Sequence, residues 1–257
     1  MYLTVFASGS SGNCALVSQG DTHLLVDAGI SAKNIRLGLA RRGLCPEELA
    51  GVVITHNHSD HISGLRTLTR QLPSLPLFAS VPVARQICYR LPAEGQTHTF
   101  QPGEDFSVGA LRVRSIPTSH DTPGSVGYRF TAPDGRAACV VTDLGVVTPQ
   151  VEAAVEGVDL AMIECNHDID SLRNGPYPYY LKARIAGPQG HLSNTDGAGL
   201  CALCARSGAR ALVLAHLSRE NNTPALARAA VSKALEGLPP VRLEVAPALC
   251  GGLTIEV

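Results

Sequence analysis

The segment from Val52 to His61 joins a short aliphatic run to a dense group of histidines. Val52-Val53-Ile54 predicts a buried strand, and the next seven residues, Thr55 to His61, hold three of the nine histidines of the chain and one aspartate. A polar loop that caps the next helix would account for one solvent-facing histidine. Three imidazoles beside a carboxylate would be desolvated and would repel one another unless a cation bound their neutral forms. Because imidazole and carboxylate are preferred ligands of Zn, Mn and Fe, this segment predicts a metal site.

Three further residues of suitable chemistry follow predicted strands elsewhere in the chain. They are His120, Asp143 and His216. Each of them alone fits a helix cap or a surface histidine. As an ordered set they are expected to complete the coordination that residues 56–61 can only begin. In an extended loop, residues 56 and 58 point to the same side, and Asp60 and His61 turn toward a second position, so two adjacent metal ions are expected.

Composition limits the classes of protein that remain possible. The chain has 257 residues, of which 45% are hydrophobic and 17% are charged, so we expect one globular domain over residues 1–257. The formal charge of -1 gives no general attraction to polyanions, and a nucleic acid would need a local positive patch. No signal peptide and no apolar run of about 20 residues is evident, which predicts a cytoplasmic protein without membrane contact. No obligate protein partner is indicated, and a homo-oligomer remains possible.

The eight cysteines are scattered through the chain. With no export signal, they are predicted to be reduced, buried thiols. Cys201 and Cys204 form a CxxC in an apolar helical pattern, where spacing on one helix face is the simpler explanation than a zinc pair.

Short β-rich runs alternate with helical patterns along the whole chain. Strands are predicted over residues 3–7, 15–17, 23–27, 52–55, 77–79, 111–117, 125–131, 137–142, 160–164, 211–216, 241–245 and 253–257. Helices are predicted over residues 31–42, from near 64, and over 81–90, 149–155, 193–207 and 224–236. The order favours two packed mixed sheets with helices outside, an α/β sandwich. A Rossmann fold is disfavoured because no GxGxxG follows the first strand.

The ligand motifs resemble those of a known family. Thr55-His-Asn-His-Ser-Asp-His61 is similar to the HxHxDH signature of the metallo-β-lactamase superfamily, and His120, Asp143 and His216 match its remaining ligand motifs in order. Further segments resemble the YycJ/WalJ (VicX-like) branch, whose members are described as metal-dependent DNA exonucleases; these segments are residues 8–14, 164–168, 173–178, 190–194 and 216–222. The resemblance implies an αββα four-layer sandwich with a two-metal site at one edge.

The resemblance also implies a division of the ligands. His56, His58 and His120 would bind the first ion, Asp60, His61 and His216 the second, and Asp143 would bridge them. The ions would be Zn²⁺ or Mn²⁺, with Fe also possible, and the sequence does not choose among them. Flavodiiron members have a glutamate where this chain has His58, so hydrolysis is favoured over oxygen chemistry.

The catalytic residues are predicted around this site. A hydroxide bridging the metals would attack, oriented by Asp60, while His191 or His167 protonates the leaving oxygen and Glu164 orients one of them. We favour His191, because Gly190-His-Leu-Ser-Asn194 opens a helix and a similar glycine-histidine-serine stretch assists catalysis in tRNase Z. The alternative is a cap with His191 only packed beside it.

Substrate contacts are predicted from three segments. Residues 173–184 interleave tyrosines with cations, so Tyr177, Tyr179 and Arg184 could stack bases and hold phosphates, although a lid or a dimer contact would use the same residues. The helix start at Ser193 and Asn194 could receive a phosphate. Asn13, in a glycine turn, could donate a hydrogen bond near the site.

Three functions fit these residues. The favoured one is a metal-dependent phosphodiesterase or nuclease that acts on DNA as a 5′–3′ exonuclease. The alternative is a hydrolase of a small molecule such as a cyclic phosphodiester, lactone, thioester or β-lactam. A non-catalytic regulatory binding module is disfavoured, because all seven ligand positions are intact.

Overall fold

Two mixed sheets carry the fold in a computed structural model that describes residues 1–88, 97–248 and 252–257. The first sheet has the strand order β14 (Leu253–Glu256), β1 (Tyr2–Ala7), β2 (Cys14–Gln19), β3 (Thr22–Val26), β4 (Leu49–Ile54), β5 (Leu77–Ser80) and β6 (Thr97–Phe100). The second has the order β13 (Arg242–Val245), β12 (Ala211–Ala215), β11 (Leu160–Glu164), β10 (Ala137–Val141), β9 (Val126–Thr131), β8 (Leu111–Pro117) and β7 (Asp105–Val108).

Helices lie on the outer face of each sheet. Those of the first half are α1 (Ala32–Ala40), α2 (Ser59–Ile62), α3 (Leu65–Gln71) and α4 (Val81–Ile87), with a short 3₁₀ turn at Pro46–Glu48. Those of the second half are α5 (Pro149–Val155), α6 (Ile169–Asn174), α7 (Tyr179–Ile185), α8 (Asn194–Arg206) and α9 (Pro224–Ala234). Within the described ranges, no helix is long and apolar enough to cross a membrane.

The side chains of each strand alternate between two hydrophobic layers. In β4, Val53 packs in the core between the two sheets, whereas Val52 and Ile54 pack against the outer helices with Ile35 of α1 and Leu68 of α3. The second sheet packs on α5, α8 and α9 in the same way. Burying one such side chain contributes about 1.5–3 kcal/mol. The predicted αββα four-layer sandwich is confirmed.

The predicted strands all occur, with ends that differ by at most three residues. The prediction missed β6 and β7, which are short strands with mostly exposed side chains and therefore lack a clear alternation. It also missed α6 and α7, because α7 buries none of its residues and has no apolar stripe to detect. The helix expected to start near residue 64 is α3, which begins at Leu65, whereas the short helix α2 before it was not predicted. The end of the helix expected at 81–90 lies outside the described residues.

The cysteines differ partly from the prediction. Cys201 and Cys204 are buried in α8 and pack in the core, as expected. Cys45 and Cys88 are exposed, so the prediction of burial was wrong for them, because both lie where a short helix meets a surface loop. Cys250 lies outside the described residues.

Candidate metal centre

Four strands of the second sheet end at the same edge. Strands β10, β11 and β12 are mutually parallel, and β8 runs in the same direction because β9 is antiparallel to both β8 and β10. His120, Asp143 and His216 follow β8, β10 and β12, and Glu164 is the last residue of β11. The strand directions therefore bring side chains from four distant parts of the chain together.

The loop after β4 is held against this edge by bonds between the sheets. The Tyr128 hydroxyl, which is fully buried, donates to the carbonyl of Ile54 at 2.5 Å, and the Val126 N–H donates to the carbonyl of Thr55 at 3.1 Å. These bonds fix the position of the end of β4 relative to β9 of the second sheet. Residues 56–61 consequently face the strand ends of the second sheet.

All seven predicted ligand positions meet in two adjoining clusters. The imidazoles of His56, His58 and His120 offer nitrogen atoms within 4.8 Å of one another. A second set with the same spacing is formed by Asp60, His61 and His216. Asp143 belongs to further sets with members of both clusters, and its Oδ1 lies 3.5 Å from Nδ1 of His216.

Three buried atoms in these clusters have no hydrogen bond within the described part of the chain. They are Nε2 of His56, Oδ2 of Asp143 and Nε2 of His216. A buried polar atom without a partner costs about 1–3 kcal/mol. Lone-pair donors of this kind are the ligand atoms that divalent ions take up, so the donor set fits a metal.

The pKa values of three histidines in the two clusters show the effect of the surrounding carboxylates and of burial. Burial acts against protonation of His61, but the carboxylates of Asp143 and Asp27 outweigh it and raise its pKa to about 9. The pKa of His216 is likewise raised well above its ordinary value, since Asp143 outweighs burial. The pKa of His56 is far below the ordinary value, because burial and the charge of His61 disfavour its protonated form. The carboxylates therefore hold protons on two imidazoles, and a divalent ion would displace those protons on binding.

Asp27 fixes the orientation of one ligand, and sequence reasoning missed it. Its carboxylate accepts hydrogen bonds from Nδ1 of His61 at 2.7 Å and from the N–H and hydroxyl of Thr55 at 2.8 Å each. A carboxylate on the far ring nitrogen fixes the tautomer and rotation of a metal-binding histidine. The available signal was an aspartate at the end of a strand, directly before Ala28-Gly29.

The backbone is strained at three points of this centre. Asp27, Asp143 and His216 have φ of 61°, 60° and 55°, and they are the non-glycine residues with positive φ in the described ranges. Such conformations are uncommon for these residue types and persist where surrounding contacts enforce them. Their concentration here agrees with a functional site.

Glu164 orients two histidines at once. Its buried carboxylate accepts through Oε1 from Nδ1 of His191 and from Nδ1 of His216, both at 2.8 Å. Its Oε2 accepts from the N–H groups of Leu144 and Leu192. Burial opposes ionisation, but His191 and His216 outweigh it, so the pKa of Glu164 lies well below its ordinary value. The expected pairing of Glu164 with His191 is present.

A cleft of about 240 Å³ opens beside the two clusters. Among the predicted catalytic and substrate residues, Asp60, His191, Tyr177 and Arg184 line it. His167 is buried beside Ser193 and lies outside the lining, so its placement does not favour a role as the acid. Tyr179 is 86% exposed and also lies outside the lining, because α7 turns it toward solvent.

Three other predicted substrate contacts do not line the cleft and bond neighbouring groups of the chain. Ser193 caps α8 by accepting the N–H of Asp196 at 3.1 Å, and the side chain of Asn194 bonds that of Asn222 at 2.9 Å. Asn13 donates to Oδ2 of Asp60 at 3.2 Å, so it is the hydrogen-bond donor near the site that the sequence suggested, although it does not line the cleft. Short polar side chains that follow a tight turn satisfy the backbone and neighbouring side chains first, which is why these residues do not face the cleft.

Asp121 is a second residue that the sequence did not reveal. Its Oδ1 lies 3.1 Å from Nε2 of His58, and its Oδ2 accepts from Nε of Arg184 at 2.9 Å. It thereby links a predicted ligand to α7 across the cleft. Its only sequence signal was its position directly after His120.

Comparison with known proteins places this geometry in a family. Residues 22–217 match the model of the Beta-lactamase superfamily domain. The chain belongs to the metallo-β-lactamase superfamily, and it is a metal-dependent hydrolase.

Among proteins of this superfamily, the chain is similar to two that are named exodeoxyribonuclease. The chain is 34% identical to exodeoxyribonuclease YycJ of Bacillus anthracis over 92% of its length and 89% of that protein. It is 38% identical to exodeoxyribonuclease WalJ of Streptococcus pneumoniae over 87% of its length and 84% of that protein. The crystal structure of the metallo-β-lactamase fold protein YhfI from Bacillus subtilis superposes with a TM-score of 0.77 at 20% identity, covering 100% of this chain and 99% of that one, which shows the shared fold.

Proposed function

We propose that this protein is a two-metal exodeoxyribonuclease that hydrolyses DNA phosphodiesters from the 5′ end. The observation that carries the proposal is the group of buried, unbonded ligand atoms of His56, Asp143 and His216 beside a cleft that His191 lines. The relatives named exodeoxyribonuclease support DNA as the substrate.

The two clusters divide the proposed ligands. His56, His58 and His120 would hold one ion, Asp60, His61 and His216 the other, and Asp143 would contact both. Zn²⁺ and Mn²⁺ both suit this donor set, because imidazole and carboxylate accept either. Two such ions supply Lewis acidity, which makes a hydroxide nucleophile accessible near neutral pH and offsets the charge that develops on the phosphate.

The side chains around the cleft supply orientation and proton transfer. Asp60 faces the cleft, is held by Asn13, and can orient the attacking water through its carboxylate. His191 bonds Glu164 through Nδ1, so Nε2 on the other side of the ring can donate a proton to the leaving oxygen. Glu164 holds the His191 ring in place through this hydrogen bond. Tyr177 can stack on a base in the cleft.

The test is hydrolysis of end-labelled oligonucleotides, single- and double-stranded, by protein reconstituted with Zn²⁺ or Mn²⁺. Label at the 5′ end should be released as mononucleotide before label at the 3′ end. Asp143→Ala should lose most of this activity, and equal cleavage by this variant would contradict the two-metal mechanism.

Small substrates provide the contrasting result. Bis(p-nitrophenyl) phosphate tests phosphodiester hydrolysis without a strand, and a chromogenic β-lactam tests the superfamily's other chemistry. Hydrolysis of either one with every oligonucleotide left intact would replace the nuclease proposal by a small-molecule hydrolase.

A further inference from the structure

Two loops, one after β1 and one after β12, each contribute a serine to the lining of the cleft, which also includes Leu181 and Arg184 of α7. The N–H of His216 donates to Oγ of Ser8 at 2.9 Å, and Gly9 packs so closely that an added Cβ would lie 3.3 Å from the carbonyl oxygen of Leu217. We call this surface the serine bank and define it as Ser10, Ser11, Ser218 and Arg219. Neither the metal clusters nor the proton transfer uses these four residues.

The serine bank lies at the rim of the cleft. Ser10 and Ser218 line the cleft, and each is the chain neighbour of another member of the bank. Ser11 and Arg219 are exposed, and Arg219 donates to Oγ of Ser11 at 2.7 Å. Three hydroxyls and one guanidinium are therefore grouped beside His216.

Arg184 of α7 and Arg219 of the serine bank differ in their charge partners. Arg184 donates to Oδ2 of Asp121 at 2.9 Å and 2.5 Å, so a carboxylate compensates its charge. Arg219 bonds a neutral hydroxyl, and no carboxylate of the described ranges forms an ion pair with it. Arg219 on the serine bank therefore carries a charge that no carboxylate in the described part of the chain compensates, in contrast to Arg184 of α7.

We propose that the serine bank is a backbone-phosphate subsite, at which Arg219 and the neighbouring hydroxyls bind a phosphate of the nucleic-acid strand adjacent to the one that is cleaved. A guanidinium can form two hydrogen bonds to phosphate, and serine hydroxyls commonly complete such contacts. The net charge of -1 gives the whole chain no general attraction to DNA, so a local contact has to supply it. This inference rests on the proposed nuclease function.

The salt dependence of binding distinguishes a phosphate contact from a structural role. Each phosphate contact that is lost lowers the slope of log K against log salt concentration by about 0.7 for a single strand. Arg219→Ala should therefore show a slope reduced by about 0.7 and a KM for oligonucleotides raised about tenfold at low salt. Arg219→Lys should restore part of the slope, because it keeps the charge and loses the fork geometry.

Arg206 offers a matched control. It is exposed at the C-terminal end of α8, about 18 Å along the helix from the end that adjoins His191. Arg206→Ala removes the same charge from the whole chain and should leave KM and the salt slope of the metal-loaded protein as in the parent. Bis(p-nitrophenyl) phosphate is the second control, since its single phosphodiester has no adjacent phosphate.

The outcomes separate this inference from the nuclease proposal. A larger loss on the oligonucleotide than on the small diester, with a reduced salt slope, supports the subsite. An unchanged slope in Arg219→Ala, or equal losses on both substrates, overturns it. If the parent cuts no oligonucleotide, the nuclease proposal fails, and anisotropy of a labelled oligonucleotide then decides the subsite: equal binding by the parent and Arg219→Ala overturns it as well.

Discussion

The two sheets contribute to the metal centre in different ways. The first sheet supplies four ligand positions from one loop, His56, His58, Asp60 and His61, all within six residues. The second sheet supplies single residues from strand ends that are far apart in sequence. The first contribution depends on how one loop packs, and the second depends on the register of parallel strands.

The loop of residues 56–61, which carries the ligands of the first sheet, is packed closely against neighbouring backbone. The N–H of Asn13 donates to the carbonyl of Asp60 at 2.7 Å, and an added Cβ at Gly29 would lie 1.6 Å from that carbonyl oxygen. An added Cβ at Gly64 would lie 1.9 Å from the carbonyl oxygen of Ile30. A local ligand motif is therefore held by backbone contacts that the motif itself does not contain.

The largest effect is expected from the second sheet. Asp143→Ala removes the carboxylate that adjoins both clusters, and kcat/KM for oligonucleotide hydrolysis should fall roughly 1,000-fold, equivalent to about 4 kcal/mol. Steady-state kinetics measure the loss of activity. The metal content and the melting temperature of the variant show whether it still binds metal and is folded. Parent-like kinetics in a folded variant would remove Asp143 from the mechanism.

The backbone contacts of the first sheet should be nearly as sensitive. Gly29→Ala should destabilise the protein by about 3 kcal/mol or more and lower its metal content, because the new methyl group overlaps the Asp60 carbonyl. Urea unfolding and metal analysis provide the measurement. Gly199→Ala in α8 is the matched control: its added Cβ meets nothing within 4 Å, so helix propensity should make it neutral or more stable. Equal behaviour of the two variants would contradict the role of this packing.

A smaller loss is expected from the hydrogen bond behind the first-sheet ligand. Asp27→Asn leaves every proposed ligand in place and weakens the hold on His61, so metal affinity should fall about 10- to 100-fold. Competition with a chelating dye measures it, and Asp21→Asn at an exposed position serves as control. If Asp27→Asn bound metal as tightly as the parent, the His61 ring would be fixed by its other contacts alone.

The smallest effects should distinguish two neighbouring tyrosines. Tyr177 lines the cleft, and loss of base stacking in Tyr177→Ala should raise the oligonucleotide KM about fivefold. Tyr179 is 86% exposed, and Tyr179→Ala should stay within about twofold of the parent. The reverse order would mean that α7 turns its other face to the substrate.

The sequence predicted the layers of the fold because its central strands are short aliphatic runs, buried on both faces and separated by helical patterns. Strand β8 at Leu111–Pro117, β11 at Leu160–Glu164 and helix α5 at Pro149–Val155 have the predicted limits. The missed helices α6 and α7 lie in residues 169–185, where few side chains are buried and the periodic signal is weak, and α7 lines the cleft. The substrate residues were predicted least well for the same reason, since loop side chains can bond to the backbone or face the cleft.

The sequence by itself determined the chemistry of the centre, because residues 55–61 crowd imidazoles and a carboxylate into one loop where only a cation explains them. Tertiary structure alone decided which groups hold those ligands. Asp27 reaches His61 across 34 residues, and Glu164 reaches His216 across 52. Such contacts depend on strand register and loop packing, which are properties of the whole fold and leave no pattern in any short stretch of sequence.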